Sequence, residues 1–254
     1  MDIDTYLAKA ETALVGLLKE WRPKLMAEYG KAEYTLKGDK SAVTKFDLEL
    51  EKEIKKVLAP IDSKVGFLGE EHGQEGSTET YWTIDPIDGT ESFLRGQPVA
   101  RNQLAFVSDG KIQYALCYRF PTNDMFIARA GRGTTKNGQK VTLGYRPPER
   151  CWVEVNLKML RDPAFYEKFK KITERMEAAY THDFLLMAEG AVDGIINGLA
   201  GGPWDYYVRA LILQESGAKV GNIGSATFDM GVNNLVAAHP KNFEFIQNVL
   251  SGKA

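Results

Sequence analysis

The chain has 254 residues, of which 44% are hydrophobic, enough for one large domain or two closely packed ones. Its 32 basic and 34 acidic residues are spread along the sequence and leave a net charge of −2. That balance argues against a basic stripe for a nucleic acid polymer and a polybasic segment for a membrane surface.

The first residues carry acids where an export signal carries positive charge, and no apolar run reaches the ~18 residues of a membrane-spanning helix. Cys117 and Cys151 lack CxxC spacing and suit a reducing compartment, so the chain reads as a cytoplasmic protein. Ile3, Tyr6, Leu7, Ala10, Leu14, Leu17, Leu18 and Trp21 recur at helical spacing, predicting an amphipathic helix that Pro23 ends or bends. A polar loop or hairpin follows at "YTLKGDK", then a helix from about Phe46 to Leu58 closed by Pro60. Within it Glu49, Glu51 and Glu53 stand among lysines and read as an exposed face. "KVGFLGEE" and "YWTID" are short apolar runs ending in acids, which predicts strands that deliver carboxylates into a cleft. Asp109-Gly110 and Asn137-Gly138 each join apolar runs and predict β-hairpins. The first half thus reads as an antiparallel sheet packed with two helices.

In the second half "CWVEVNL" is a strand, and "DPAFYEKFKKITERMEAA" a helix with Asp162 as N-cap and Pro163 at its first position. Helices and strands then alternate to the C-terminus. The change of rhythm at "GYRPPER" divides residues 1–145, an α+β half, from residues 146–254, an α/β half, within one compact structural unit.

Three acid-bearing segments stand out: Glu70-Glu71, the pair Asp85 and Asp88 in "DPIDGT", and Asp205 after "GGPW". Hard divalent cations such as Mg²⁺ take oxygen ligands, and paired carboxylates supply them. Pro86 stiffens the turn, so both acids and the Ile87 carbonyl can converge, and Gly89 lets backbone approach a ligand. A helix starting at Asp88–Thr90 would turn free N–H groups towards a phosphate. Each segment also has a plainer reading: Asp-Pro and Asp-Gly as turn formers, Glu70-Glu71 as a solvated turn, Asp205 as an N-cap. His72, His182 and His239 are dispersed without zinc spacing, and there is no GxSxG elbow or Walker A loop. "GRGTTKNG" reads as a hairpin turn. A two-carboxylate glycosidase leaves the glycine and threonine without a purpose.

"WTIDPIDGTESF" resembles the W-x-x-D-P-x-D-G-T-x-x-F signature of the inositol monophosphatase family of Mg²⁺-dependent, lithium-sensitive phosphatases. "VTKFDLELEKEI", "FLGEE" and "PWDYYVRALILQESGAKV" resemble three further motifs of that family, in its order. The resemblance implies a layered αβαβα sugar-phosphatase fold, with mixed sheets and helices between and outside them. It implies two or three Mg²⁺ per site, a homodimer, and a small phosphorylated metabolite as partner. Glu70, Asp85, Asp88, Asp205 and the Ile87 carbonyl would be metal ligands. Thr90, with Glu70 and Asp47, would orient and deprotonate a metal-activated water for direct attack on the phosphate. Asp88, Gly89, Thr90, Asp183 and Asp205 would contact the substrate.

The sequence departs from the family pattern around the leaving group. Asp183 and Phe184 stand in "YTHDFLLMAEG" where small residues are expected, and "NGLAGGPW" offers no carboxylate before the W-D pair. Ser41 replaces the aspartate of the D-x-V-T pattern and Ser92 the asparagine before Phe93. The reading is a phosphatase of a small phosphomonoester: an inositol, sugar, histidinol or nucleotide phosphate. The alternative is a non-catalytic protein that keeps the fold to bind Mg²⁺ or a phosphorylated ligand.

Overall fold

The structure, a computed structural model, describes residues 2–198 and 201–253. The chain divides into two units, Met1–Ile127 and Ala128–Ala254. Among the described residues no helix is long and apolar enough to cross a membrane.

The first unit comprises α1 (Ile3–Glu28), β1 (Thr35–Leu36), β2 (Ala42–Val43), α2 (Lys45–Leu58), β3 (Gly66–Gly69), β4 (Gly73–Glu75), β5 (Tyr81–Asp88), α3 (Thr90–Leu94), β6 (Arg101–Ser108) and β7 (Lys111–Arg119). Its longer strands lie in the order β7-β6-β5-β3-β4. The sheet is mixed rather than antiparallel, because β3 and β5 pair in parallel. Parallel neighbours cannot be joined by a tight turn. Here β4 and the loop after it lie between them in sequence. β6 and β7 form the expected hairpin, with Asp109 and Gly110 both left-handed.

α1 does not stop at Pro23. It runs to Glu28, with Trp21 and Leu25 buried on either side of the proline. Arg22 anchors the same turn by donating to the carbonyls of Phe120, at 2.7 Å, and Pro121. A proline forfeits one backbone bond and crowds the preceding turn, at about 3 kcal/mol. Burial of two large side chains offsets that. α1, α2 and one sheet face enclose a core of Leu14, Leu18, Leu50, Ile54, Trp82 and Phe106. The buried Trp82 indole donates to Tyr6 Oη at 2.8 Å, so its polar atom is satisfied inside the core.

β8 (Asp124–Arg129) carries the chain into the second unit. There follow β9 (Gly133–Lys136), β10 (Gln139–Val141), β11 (Trp152–Val155), α4 (Pro163–Thr173), β12 (Glu177–Ala179), α5 (Leu185–Ala188), β13 (Gly194–Gly198), α6 (Pro203–Glu215), β14 (Lys219–Gly221), β15 (Asn234–Ala238) and α7 (Pro240–Ser251). β9 and β10 make the hairpin around Asn137-Gly138, as expected for "GRGTTKNG". Five strands form a mixed sheet in the order β12-β11-β13-β15-β14. α4 begins where expected, with Asp162 accepting from the Ala164 amide at 3.0 Å. It is shorter than expected, since "EAA" leaves the helix to pair with β11 as β12. Val153, Ile196, Val236, Phe243 and Ile246 are at the centre of this unit's own core. Cys117 and Cys151 are both buried, and neither forms a disulfide.

Candidate active site

β5 ends in a bulge. Asp85 pairs with Gln103 and Asp88 with Arg101 on β6, while Pro86 and Ile87 fall out of register. Proline cannot donate to a ladder, so a bulge is where a strand tolerates it. The Pro86 carbonyl is met instead by the Asn102 amide at 2.5 Å. The irregularity brings two carboxylates three residues apart to one place: oxygens of Asp85 and Asp88 lie within 4.8 Å of each other. Gly89 then turns the chain with φ of +80°, open to glycine at little cost, and α3 starts at Thr90. α3 is only five residues long.

Thr44 caps α2, and its amide and hydroxyl donate to Asp47 Oδ2 at 2.8 and 2.6 Å. The other oxygen, Asp47 Oδ1, lies 3.3 Å from the Thr90 hydroxyl, which is also 3.1 Å from the Ile87 carbonyl. Asp47, Thr90 and Ile87 are therefore joined by hydrogen bonds, from a helix cap to the bulge. Asp47 is buried, and burial, reinforced by the nearby Glu71 and Glu70, pushes its carboxyl up to about 6 against the Thr44 bonds. It can hold a proton or release it near neutrality.

Glu70 follows β3, and its amide donates to the Ile84 carbonyl at 2.9 Å, which sets it beside the end of β5. Burial raises its carboxyl, and Lys37 opposes the shift. Lys37, just after β1, reaches Glu70 Oε1 at 3.0 Å and Glu71 Oε1 at 2.7 Å. Arg101 Nε donates to Asp88 Oδ2 at 2.5 Å.

In the second unit Asp205 lies in the first turn of α6. Its Oδ2 accepts from the Gly202 amide and its Oδ1 from Arg209 Nη2, both at 2.9 Å. Asp183 is buried and accepts from the Leu185 amide at 3.2 Å, heading α5. In the "NGLAGGPW" stretch, Leu199 and Ala200 lie outside the described residues.

One reading of the sequence is overturned. Glu49 is exposed, but Glu51 is 0% exposed. Its Oε2 accepts from the Glu71 amide at 2.9 Å, and its Oε1 meets Lys55 and His72. Gly69 makes room for it, since a Cβ there would occupy the Glu51 carboxylate. The pattern of charges missed Lys37, Arg101 and Arg209 as well. Arg209 had a signal, its position four residues after Asp205 on one helix. Arg101 had one in the polar "RNQ" inside an otherwise apolar strand.

Carboxylates and a carbonyl are the hard oxygen donors that Mg²⁺ takes, and Asp85 and Asp88 offer oxygens within 4.8 Å of each other. The donor set fits such an ion. The site thus sits in a mixed α/β fold, with acids gathered at a bulged strand end. The chain belongs to the inositol monophosphatase family, whose model matches residues 4–251. It is 30% identical over 194 residues to the putative Nus factor SuhB of Neisseria meningitidis, covering 72% of this chain and 74% of that one. It is 27% identical over 227 residues to the fructose-1,6-bisphosphatase/inositol-1-monophosphatase of Aquifex aeolicus, covering 84% and 83%. The crystal structure of SuhB from Bartonella henselae has the same fold, with a TM-score of 0.85 at 22% identity over 96% of this chain and 99% of that one.

Proposed function

We propose that the chain is a Mg²⁺-dependent phosphatase of a small phosphomonoester. The observation that carries this is the Asp47–Thr90–Ile87 hydrogen-bond set beside the paired acids Asp85 and Asp88. Glu70, Asp85, Asp88, Asp205 and the Ile87 carbonyl would hold the metal, which when bound would lower the pKa of a water and supply charge to stabilise the phosphoryl group in flight. The Thr90 hydroxyl passes its proton to Asp47 and accepts one from the attacking water, with Glu70 orienting that water. The amides of Gly89 and Thr90 hold the phosphate. They act as individual donors, because a helix as short as α3 sums few peptide dipoles. Asp183 and Phe184 face the leaving group, with no added carboxylate to reward the hydroxyls of a polyol. Inositol 1-phosphate is then one substrate among several and not the best. Family membership supports a homodimer and inhibition by lithium.

A second reading has one specific observation in its favour. Asp88 and Asp205 are each ion-paired with an arginine, and a relative is named a Nus factor. On this reading the chain keeps the fold to bind a ligand or partner and does no chemistry. Phosphate release from a panel of sugar, polyol and nucleotide monophosphates, with Mg²⁺ and with EDTA, separates the two. Release that requires Mg²⁺ supports the phosphatase. No release from any member, by protein that binds Mg²⁺, supports the second reading.

A further inference from the structure

We propose that Lys37, Arg101 and Arg209 are resident counter-ions of the acids assigned to the metal, so that a divalent cation binds only by displacing or opposing them. The proposal rests on the metal-dependent reading above and adds what sets the occupancy of that site.

Three carboxylates of the assigned set carry a cation of their own. Asp88 and Arg101 are cross-strand partners in the β5–β6 register, with side chains 13% and 5% exposed. Asp205 and Arg209 are one helical turn apart, 9% and 10% exposed. The Arg209 guanidinium is further placed over the rings of Phe184, at 5.6 Å, and Tyr206, at 5.8 Å. Lys37 reaches Glu70 from a hairpin and is the most exposed of the three, at 25%. A guanidinium does not lose its proton at any working pH, so the two arginine charges are permanent.

Buried carboxylates without cations would repel one another and lose their hydration, and such a site would depend on its metal to remain folded. Here the cations meet that need. The same charges oppose an incoming dication across a few ångströms of poorly screened space, and they occupy lone pairs it would use. Lys37, on a flexible stem with solvent access, yields most readily. Arg101 and Arg209, fixed by register and by ring contacts, yield least. The site is thus stable without metal and binds it more weakly than its oxygen donors alone would.

The test compares the full chain with Arg101→Gln, Arg209→Gln and Lys37→Met. Mg²⁺ binding is measured by calorimetry, and thermal unfolding is followed in Mg²⁺ and in EDTA. Each arginine variant is expected to bind Mg²⁺ at least about tenfold tighter than wild type. In EDTA it should melt below wild type, because an acid is left buried without its cation, and Mg²⁺ should restore it. Wild type should melt at nearly the same temperature in both. Arginine variants with unchanged or weaker Mg²⁺ affinity would overturn the proposal, as would a wild type whose folding depends on the metal. If neither arginine variant folds in either condition, Lys37→Met decides: tighter binding supports the proposal and unchanged affinity overturns it. Phosphate release is scored separately. Variants that gain Mg²⁺ affinity yet hydrolyse nothing would sink the phosphatase reading and leave the counter-ions standing.

Discussion

On the proposed mechanism, Asp47 is the residue where protonation and activity would meet. Its folded pKa of about 6 lies above the ordinary ~3.9 of an aspartate, so the fold favours the protonated form. The stability this provides is full below about pH 4 and is lost as pH rises through about 6. On the proposed mechanism Asp47 acts in its ionised form, so kcat/KM should rise with pH through the same window. Asp47→Asn should flatten that limb and lower turnover by roughly 10²–10⁴-fold, the usual worth of a positioned base, as a pH–rate series would show. Asp88→Asn should fold, lose about 1–3 kcal/mol because Arg101 then faces a neutral amide, and lose turnover by a few orders of magnitude. Near-wild-type kinetics for Asp88→Asn would remove it from the metal shell. At this scale the sequence was legible where an acid sits in a turn motif, as Asp85 and Asp88 do. It was not legible for Glu51. A glutamate among lysines on a helix reads as solvated until Gly69, the Glu71 amide, Lys55 and His72 surround it. Lys55 is one helical turn on, but the others come from a strand end and a turn about 20 residues away, beyond any local pattern.

Among the elements, the N-terminus of α2 shows how a cap can serve the proposed site. Thr44 satisfies the first turn of the helix and, through the same hydroxyl and amide, fixes the Asp47 carboxylate. Thr44→Ala should cost about 1 kcal/mol of stability, the ordinary worth of an N-cap, measurable by denaturant unfolding. It should also reduce kcat more than KM, since Asp47 loses the hydrogen bond from the Thr44 hydroxyl and keeps only the one from the backbone amide. A loss of stability with unchanged kcat would make Thr44 a cap and nothing more. The hairpins at Asp109-Gly110 and Asn137-Gly138 were readable because both turn residues must take positive φ, a local demand. The continuation of α1 past Pro23 was not, because packing of Trp21 and Leu25 outweighs a local penalty. The parallel pairing of β3 with β5 was equally hidden, since either strand direction suits the same alternation of side chains.

For the whole molecule the predictions concern metal and substrate. EDTA should abolish phosphate release and Mg²⁺ restore it, and activity driven by Zn²⁺ but indifferent to Mg²⁺ would contradict a site built of carboxylates. Asp183→Ala should reorder kcat/KM across a substrate panel more than it changes the rate on p-nitrophenyl phosphate. It acts by loosening the start of α5, which Asp183 heads and which follows Phe184. A strong preference for inositol 1-phosphate, untouched by that substitution, would show that the leaving group is selected elsewhere.

By itself the sequence determined the family, the mixed α/β character and the run of acids at residues 70, 85, 88 and 205, because motifs and turn chemistry are local and survive without neighbours. Tertiary structure alone decided the rest. It buried Glu51 beneath Gly69 and set Arg101 on Asp88 across two strands. Whether a charged side chain is solvated or paired depends on which distant element folds against it, and strand register and helix packing settle that only when the chain closes.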